Sequence, residues 1–410
     1  MKTLVQINSG LGFGSVGRIA DQIGTLAEQE GWICYYAHGT RYKTHECKTA
    51  IPVGGKLTDY IHYAISLLTG RDGIGSYFAT KRLVRQLKKI SPDVVHLHNI
   101  HGSYLNYKVL FDYLAEANIP VIWTLHDCWA ATGHCAYFDS VNCEKWKTGC
   151  HNCQLIHEFP KSLFFDQSSW NQKRKIKAIN SVKNLTLVPV SNWLGDIMRE
   201  SLIKNASIQV IHNGIDLKKF KPVESEIKKK LCIDNDKITV IGLATGWDER
   251  KGYSDFVKLA NTYLYNVIMV GNIDVDSSNL PSSIIHIKHT DSQQELAMLY
   301  SAADVFINPT YSDNFPTTNI EALACGTPVV TYKTGGSPEA IDENTGIVVE
   351  RGNLNELINA INTIVEQKSK FNSYACRKRA EAEFEMSNQY CKYIELYNNL
   401  IKKDVSRINK

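Results

Sequence analysis

No run of about 18 consecutive apolar residues occurs in this chain, so no helix is expected to span a membrane. An excess of charge of one sign is also missing: 46 Lys and Arg stand against 42 Asp and Glu, a net +4. With no interleaved aromatic and basic run either, nothing calls for a nucleic-acid partner. No repeat with a period of roughly 20–50 residues is visible, which sets solenoids aside. Residues 3–8 enter a strand without a signal-peptide pattern, and the protein is expected in the cytoplasm. Eleven cysteines in that compartment are expected as thiols or metal ligands rather than disulfides. What is present is 410 residues, 43% hydrophobic and 21% charged, enough for two or three domains with sizeable cores.

Short apolar runs alternate with helix-length segments, which predicts parallel βαβ units. In the first half the runs fall at residues 4–7, 33–36, 94–97, 121–125, 185–190 and 208–211. In the second half they fall at 238–243, 267–270, 284–287, 305–307, 329–331 and 347–349. Two such sets predict two doubly wound sheets. The joint is expected after 211–216, with the Lys-rich stretch 217–230 as linker. From about Glu381 the sequence reads as a charged helix.

Ligands in open α/β sheets bind beyond the carboxyl ends of the strands, and the distinctive motifs fall there. Segment 311–330 carries two acids, Asp313 and Glu321, across a helix start. Pro316 suits a first helical turn, Gly326 and Pro328 close the helix, and Val329 and Val330 open a strand. Asp313 then lies on the entry loop and Glu321 about one turn inside. Carboxylates accept paired hydrogen bonds, which suits the vicinal hydroxyls of a ribose or hexose. Taken alone, two solvated acids on a capped helix fit as well.

Gly12, Gly14 and Gly17 form a G-x-G-x-x-G after the first strand, where bare backbone N–H groups favour an anion. A dinucleotide enzyme would need an acid ending strand two, and none follows until Glu46, so that reading is discounted. His126 and Asp127 end the strand at 121–125, and His96, His98 and His101 end another. The latter three read as edge or packing histidines, since no spaced carboxylate accompanies them. Arg250 and Lys251 offer positive charge to a diphosphate, or are a solvated basic pair. Gly335 and Gly336 expose backbone N–H groups, or open a helix with Ser337 and Pro338. Asp274 and Asp276 form a D-x-D in a loop, taken as an ordinary exposed turn.

From the first strand to about Glu350, the chain resembles the family 4 retaining glycosyltransferases, of the type found in bacterial polysaccharide biosynthesis. The resemblance implies the GT-B fold: two Rossmann-like domains facing across a cleft, with a C-terminal helix crossing back. It implies an acceptor-side domain over 1–215, a nucleotide-sugar domain over 216–385 and the returning helix over 386–410. Asn213 and Gly214 resemble the family's hinge. Glu321 matches the second acid of the family's E-x7-E, which holds the ribose. Asp313 stands where the first acid is normally Glu, one methylene longer, and takes the donor hexose. His126 is implied beside the reacting sugar, Gly14 beside the diphosphate, and Gly335 and Gly336 against the donor. Lys251 matches the phosphate lysine. The family's arginine stands earlier, where this chain has Thr245 or Gly246, so Arg250 is taken as its substitute.

The implied activity is metal-independent, retaining transfer of a hexose from a UDP- or GDP-linked donor to a saccharide or lipid-linked acceptor. No catalytic cofactor is expected. A GT-B nucleotide-sugar epimerase and a catalytically silent sugar-binding protein are the alternatives. Cys135, Cys143, Cys150 and Cys153 crowd a polar segment, and a structural zinc is expected there, with reduced thiols as the alternative. Leu163, Phe164 and Phe165 and Trp170 precede Lys173, Lys177 and Lys183, an order that suits peripheral contact with an anionic membrane surface or a plain solvated face.

Overall fold

The computed structural model describes residues 1–41, 47–273 and 280–408. The D-x-D acids Asp274 and Asp276 lie outside the described residues. The chain divides into two compact units, one of Met1–His212 with Tyr390–Lys410, the other of Asn213–Gln389.

In chain order the strands are β1 (Lys2–Asn8), β2 (Trp32–His38), β3 (Ala50–Pro52), β4 (Val94–Leu97), β5 (Val121–Leu125), β6 (Leu185–Pro189) and β7 (Ala206–Ile208) in the first unit. The second holds β8 (Ile238–Trp247), β9 (Tyr265–Ile273), β10 (Ile284–Ile287), β11 (Val305–Asn308), β12 (Val329–Tyr332) and β13 (Gly346–Val349). The helices are α1 (Gly14–Gln29), α2 (Lys56–Thr69), α3 (Tyr77–Ile90), α4 (Tyr107–Ala117), α5 (Ser168–Asn180), α6 (Asn192–Glu200), α7 (Ile227–Lys230), α8 (Tyr253–Ala260), α9 (Gln293–Ala302), α10 (Thr317–Ala324), α11 (Leu354–Glu366), α12 (Ser373–Glu383) and α13 (Met386–Ile408).

Both sheets are parallel throughout, ordered β3-β2-β1-β4-β5-β6-β7 and β10-β9-β8-β11-β12-β13. Helices cover both faces of such a sheet, so its strands run apolar without alternation. β4 and β5 are buried along their whole length, and so are β11 and β12. Strand order reverses between β1 and β4 in one sheet and between β8 and β11 in the other. A crevice opens at such a reversal, beyond the carboxyl ends.

The C-terminal stretch departs from the sequence reading. The charged C-terminal stretch is not one helix: α12 stops at Glu383, and α13 restarts after Ile215 bridges Glu385. The start of α13 is tied within the second unit, Met386 N donating to Ile215 O at 3.0 Å. Its later turns belong to the first unit, where Tyr393 and Tyr397 pack beside His96. Helix α2 buries Asp59, His62 and Ser66 while exposing Leu57, Tyr60 and Ile61.

Candidate active site

In the second unit the loops after β8, β11 and β12 meet at the strand-order reversal. Arg250 and Lys251 occupy a single 3-10 turn, Glu249–Lys251, capped by Asp248, whose side chain accepts from Lys251 N. Gly252 follows at φ 78°, and a Cβ there would lie 2.3 Å from Pro309 O. Only glycine lets this turn press against the β11 loop. Lys251 Nζ then reaches Asp313 Oδ2 at 2.5 Å, and Arg250 Nη1 donates to Ser312 O at 3.1 Å. Asp313 Oδ1 accepts from Asn314 N at 2.8 Å, so the carboxylate is fixed on both oxygens.

The β12 loop closes on the same point. Gly335 stands at φ 52°, and a Cβ there would lie 1.7 Å from Asp313 O. Gly336 N donates to Asn314 O at 2.8 Å, and Thr334 Oγ1 donates to Thr310 O at 2.8 Å. Glycine at 335 is thus a packing requirement of the Asp313 loop. Ser337–Ala340 continues as a 3-10 turn rather than an α-helix. Within this turn Ser337 Oγ joins Thr331 Oγ1 at 2.7 Å and accepts from Asn319 Nδ2 at 3.1 Å, which links β12 to α10.

α10 begins at Thr317 directly after Pro316, and Gly326 follows its end at φ 81°. Glu321 is buried on this helix and accepts from Tyr300 Oη at 2.9 Å. Burial, then the Glu321 carboxylate, pushes the Tyr300 hydroxyl well above its ordinary value, so it stays a donor. This second-unit cluster joins Arg250, Lys251, Asp313, Gly335 and Gly336, with Glu321 on the adjoining helix. A larger hollow, about 590 Å³, is lined by Asp304, Pro328 and Lys368. It lies at the amino ends of β11 and β12, away from this chemistry.

In the first unit, Gly12 and Gly14 lie at φ 65° and 67°, and Gly14 opens α1. Phe13 at the N-cap makes no side-chain capping bond. Gly17 packs back on this loop, where a Cβ would sit 3.1 Å from Gly10 O. Asn8, ending β1, donates to Gly10 O at 2.7 Å and accepts from Asn99 N at 3.2 Å. It ties the loops of β1 and β4 together.

His126 follows β5 and faces this reversal. Gln6 Nε2 donates to Ala20 O at 2.8 Å, which turns Gln6 Oε1 toward His98 Nε2 at 3.0 Å. His98 therefore carries its proton on Nε2, and its Nδ1 accepts from His126 Nε2 at 3.4 Å. That leaves Nδ1 of His126 as an acceptor. Burial holds the His126 imidazole down at about 4, so it is neutral near pH 7. His96 is a buried post, its ring nitrogens 2.7 Å from Tyr397 Oη and from Thr124 Oγ1. The histidine group does have a carboxylate: His101 Nε2 donates to Asp127 Oδ2 at 2.7 Å. Burial alone would lower His101, but Asp127 outweighs it and raises it. Asp127 is lowered in turn by His101, against the upward push of burial. Sequence reasoning named His101 and Asp127 but not their pairing, and it passed over Tyr300, Asn8 and Gln6. The His-Asp order at 126–127 was the available signal.

The four cysteines of the zinc expectation lie near one another, Cys135 interacting with Cys150 and Cys153, and Cys150 with Cys143 and Cys153. Among the described residues no group of three or more His, Cys, Asp or Glu side chains is placed to hold a metal ion. The thiols are engaged differently. Cys150 Sγ accepts from Gly133 N at 3.2 Å, and Cys143 packs half-buried against the core. Cys135 is buried and hydrogen-bonds Cys153, which draws the Cys153 thiol down to about 7 and pushes Cys135 far up. The segment folds around the apolar contacts of Cys135, Phe138 and Trp146 with the core.

Solved structures share this architecture over nearly the whole chain. Sucrose-phosphate synthase from Thermosynechococcus elongatus superposes with a TM-score of 0.73 at 19% identity, covering 98% of this chain and all of that one (100%). Anabaena Alr3699/HepE in complex with UDP gives 0.66 at 16% identity, with 97% and 100% covered. The putative colanic acid biosynthesis glycosyl transferase WcaC of Escherichia coli K12 is 23% identical over 420 aligned residues, 97% of this chain and 100% of the relative. A diacetylbacillosaminyl-diphospho-undecaprenol α-1,3-N-acetylgalactosaminyltransferase of Campylobacter jejuni is 29% identical over 223 residues, 50% of this chain and 58% of the relative. Two doubly wound domains with these likenesses define a glycosyltransferase of the GT-B class. Residues 224–381 match the family described as glycosyl transferases group 1, and residues 44–219 match glycosyltransferase family 4. The chain belongs to the family 4 glycosyltransferases.

Proposed function

We propose that this enzyme moves a hexose from a UDP- or GDP-linked sugar to a saccharide or lipid-linked saccharide in the assembly of a cell-surface polysaccharide. The transfer retains the anomeric configuration and needs no metal. The observation that carries the reading is the second-unit cluster, where two cations, two glycines and Asp313 meet at the strand-order reversal, with Glu321 on the adjoining helix. The names of relatives point the same way, one acting in colanic acid biosynthesis, another on a diphospho-undecaprenol-linked sugar.

In this reading Lys251 and Arg250 bind the donor diphosphate and take up the charge that builds on it as the glycosidic bond breaks. The present Lys251–Asp313 ion pair is the resting partner that a diphosphate replaces, and it leaves Asp313 to accept donor hydroxyls. Glu321 holds the ribose, with Tyr300 fixing its carboxylate. Gly335 and Gly336 line the donor. His126 offers Nδ1 to a sugar hydroxyl. The leaving diphosphate itself accepts the proton of the attacking acceptor hydroxyl, so catalysis rests on positioning and charge rather than a protein nucleophile.

No described helix is long and apolar enough to cross a membrane. Phe164 and Phe165 are 68% and 55% exposed, and Lys173 and Lys177 are exposed on α5. We place peripheral contact with an anionic bilayer there, and co-sedimentation with phosphatidylglycerol vesicles tests it. The function itself is tested by release of UDP or GDP from candidate donor sugars, with and without acceptor, in the presence of chelator. Acceptor-stimulated release that survives chelator and fails in Glu321→Ala is expected. Release that strictly requires added Mn²⁺ or Mg²⁺, or that Glu321→Ala leaves unchanged, contradicts the assignment.

A further inference from the structure

Helix α2 is amphipathic the wrong way round for a stabilising helix. Its inner stripe is Asp59, His62 and Ser66, all buried, while Leu57 and Tyr60 are 74% and 68% exposed. Burying a carboxylate costs free energy that burying a leucine would not, so a polar inner face calls for a use. Part of the stripe is satisfied internally: His62 Nδ1 joins Ser76 Oγ at 2.9 Å, and Ser66 Oγ donates to Asp72 Oδ1 at 3.5 Å. Asp59 is not fully satisfied. Its Oδ2 accepts from Thr40 Oγ1 at 2.9 Å, but buried Oδ1 has no hydrogen-bond partner among the described residues.

Asp59 lines a pocket of about 260 Å³ together with Arg41, Lys56, Tyr60, Tyr63 and the loop residues Gly102 and Ser103. Arg41 follows β2 and the 102–103 loop follows β4, so the pocket stands at the carboxyl end of the first sheet. Its size is near the lower bound of small-molecule sites, about 300 Å³, which suits one sugar ring. The chemistry of the wall is divided. A carboxylate oxygen in want of a donor and two partly exposed tyrosine rings suit the hydroxyls and the apolar face of a pyranose. Arg41, whose guanidinium lies 6.0 Å from the Tyr63 ring, and Lys56, the first residue of α2, suit an anion. Gly55 at the N-cap contributes no side-chain cap, which leaves that helix end open to a phosphate oxygen.

We propose that this pocket is the acceptor subsite and that it takes a glycosyl phosphate: a hexose whose hydroxyls donate to Asp59 and whose phosphate is held by Arg41 and Lys56. The inference rests on the glycosyltransferase reading above and adds the acceptor class. The source is either a free sugar phosphate or a sugar linked through diphosphate to a lipid.

The test uses saturation-transfer NMR and calorimetry on the full chain. Probes are glucose 1-phosphate and galactose 1-phosphate, with methyl α-D-glucopyranoside and inorganic phosphate as the two halves. A sugar phosphate should bind at least about 10-fold more tightly than either half. Asp59→Asn should weaken it about 10-fold, and the exposed Lys56→Gln with Arg41→Gln should erase the preference for the phosphorylated sugar. Tyr63→Ala, on the surface, gives a second variant should Asp59→Asn fail to fold. UDP and GDP affinity should be unchanged in all of these. If the wild type binds UDP or GDP but no sugar phosphate, or if the variants bind as the wild type does, this inference falls while the transferase reading stands. If no nucleotide binds, the transferase reading is what fails. Farnesyl-diphosphate-linked glucose distinguishes the sources: tighter binding than glucose 1-phosphate assigns a lipid-linked acceptor, and equal binding assigns a free one.

Discussion

Lowering the pH from 7 to 5 should destabilise the first unit through its histidine stack. Burial, with His126 contributing less, holds His96 at about 3; burial holds His126 at about 4 and His98 well below its usual value. Unfolded, each takes a proton near 6.5. The sign follows directly. Below about pH 6.5 the unfolded chain binds more protons than the folded one, so stability falls as pH falls, with a slope of about 1.4 kcal/mol per pH unit per histidine. At pH 5 that amounts to about 2 kcal/mol for His126 and a similar amount for His96. His62 and His134 are also held low by burial and act in the same direction. His101 opposes them, since its raised value adds stability as the solution becomes acid. With His98 contributing about as much again and His101 returning part of it, a net loss of roughly 4–6 kcal/mol is expected, a large share of a typical folding free energy of about 5–15 kcal/mol. Urea unfolding followed by tryptophan fluorescence reads this unit selectively, because Trp247 is the only one of seven tryptophans in the second unit. His126→Gln should flatten the slope by about one proton. A midpoint that does not move between pH 7 and 5, or a slope unchanged in His126→Gln, would refute the reasoning.

Lys251→Ala should lower kcat by roughly 10²-fold, as for the loss of one charge-stabilising donor, while unfolding shifts by no more than about 1 kcal/mol, since its ion pair is partly exposed; steady-state kinetics beside a denaturant titration separates the two. Gly335→Ala should destabilise the second unit by about 1–3 kcal/mol through strain at φ 52° and collision with Asp313 O, and should weaken nucleotide binding as the loop shifts, both read by thermal shift with and without UDP or GDP. His126→Ala should leave nucleotide affinity intact and reduce transfer, measured by calorimetry and product formation; equal loss of both would assign it a structural role.

Local chemistry was legible in advance. Pro316 and Gly326 bracket α10: Pro316 stands one place before the expected first turn, as the extended N-cap, and Gly326 accepts the left-handed conformation that ends the helix. The buried strands announced themselves as apolar runs because parallel sheets are covered on both faces. Even Glu321 and Lys251 could be named, since each belongs to a motif only a few residues long. β3 was missed because three residues, one of them Pro52, carry too little pattern.

What only the tertiary structure decided are meetings between residues far apart in the chain. Strand order brings both β8 and β12 beside β11; the first sets Lys251 against Asp313, and the second packs Gly335 on the same loop. The His101–Asp127 pair depends on β4 lying beside β5. Spacing marked the four cysteines as one candidate site, and the fold decides their contacts: Cys135 hydrogen-bonds Cys153, while Cys150 accepts from Gly133 N. α2 shows the limit most plainly: periodicity identifies its two faces, but the face that turns inward is chosen by Thr40, Ser76 and Asp72, none of which lies on the helix. A pattern within a segment fixes what the segment can become, and the partner supplied by the fold decides which of its groups are brought to the site.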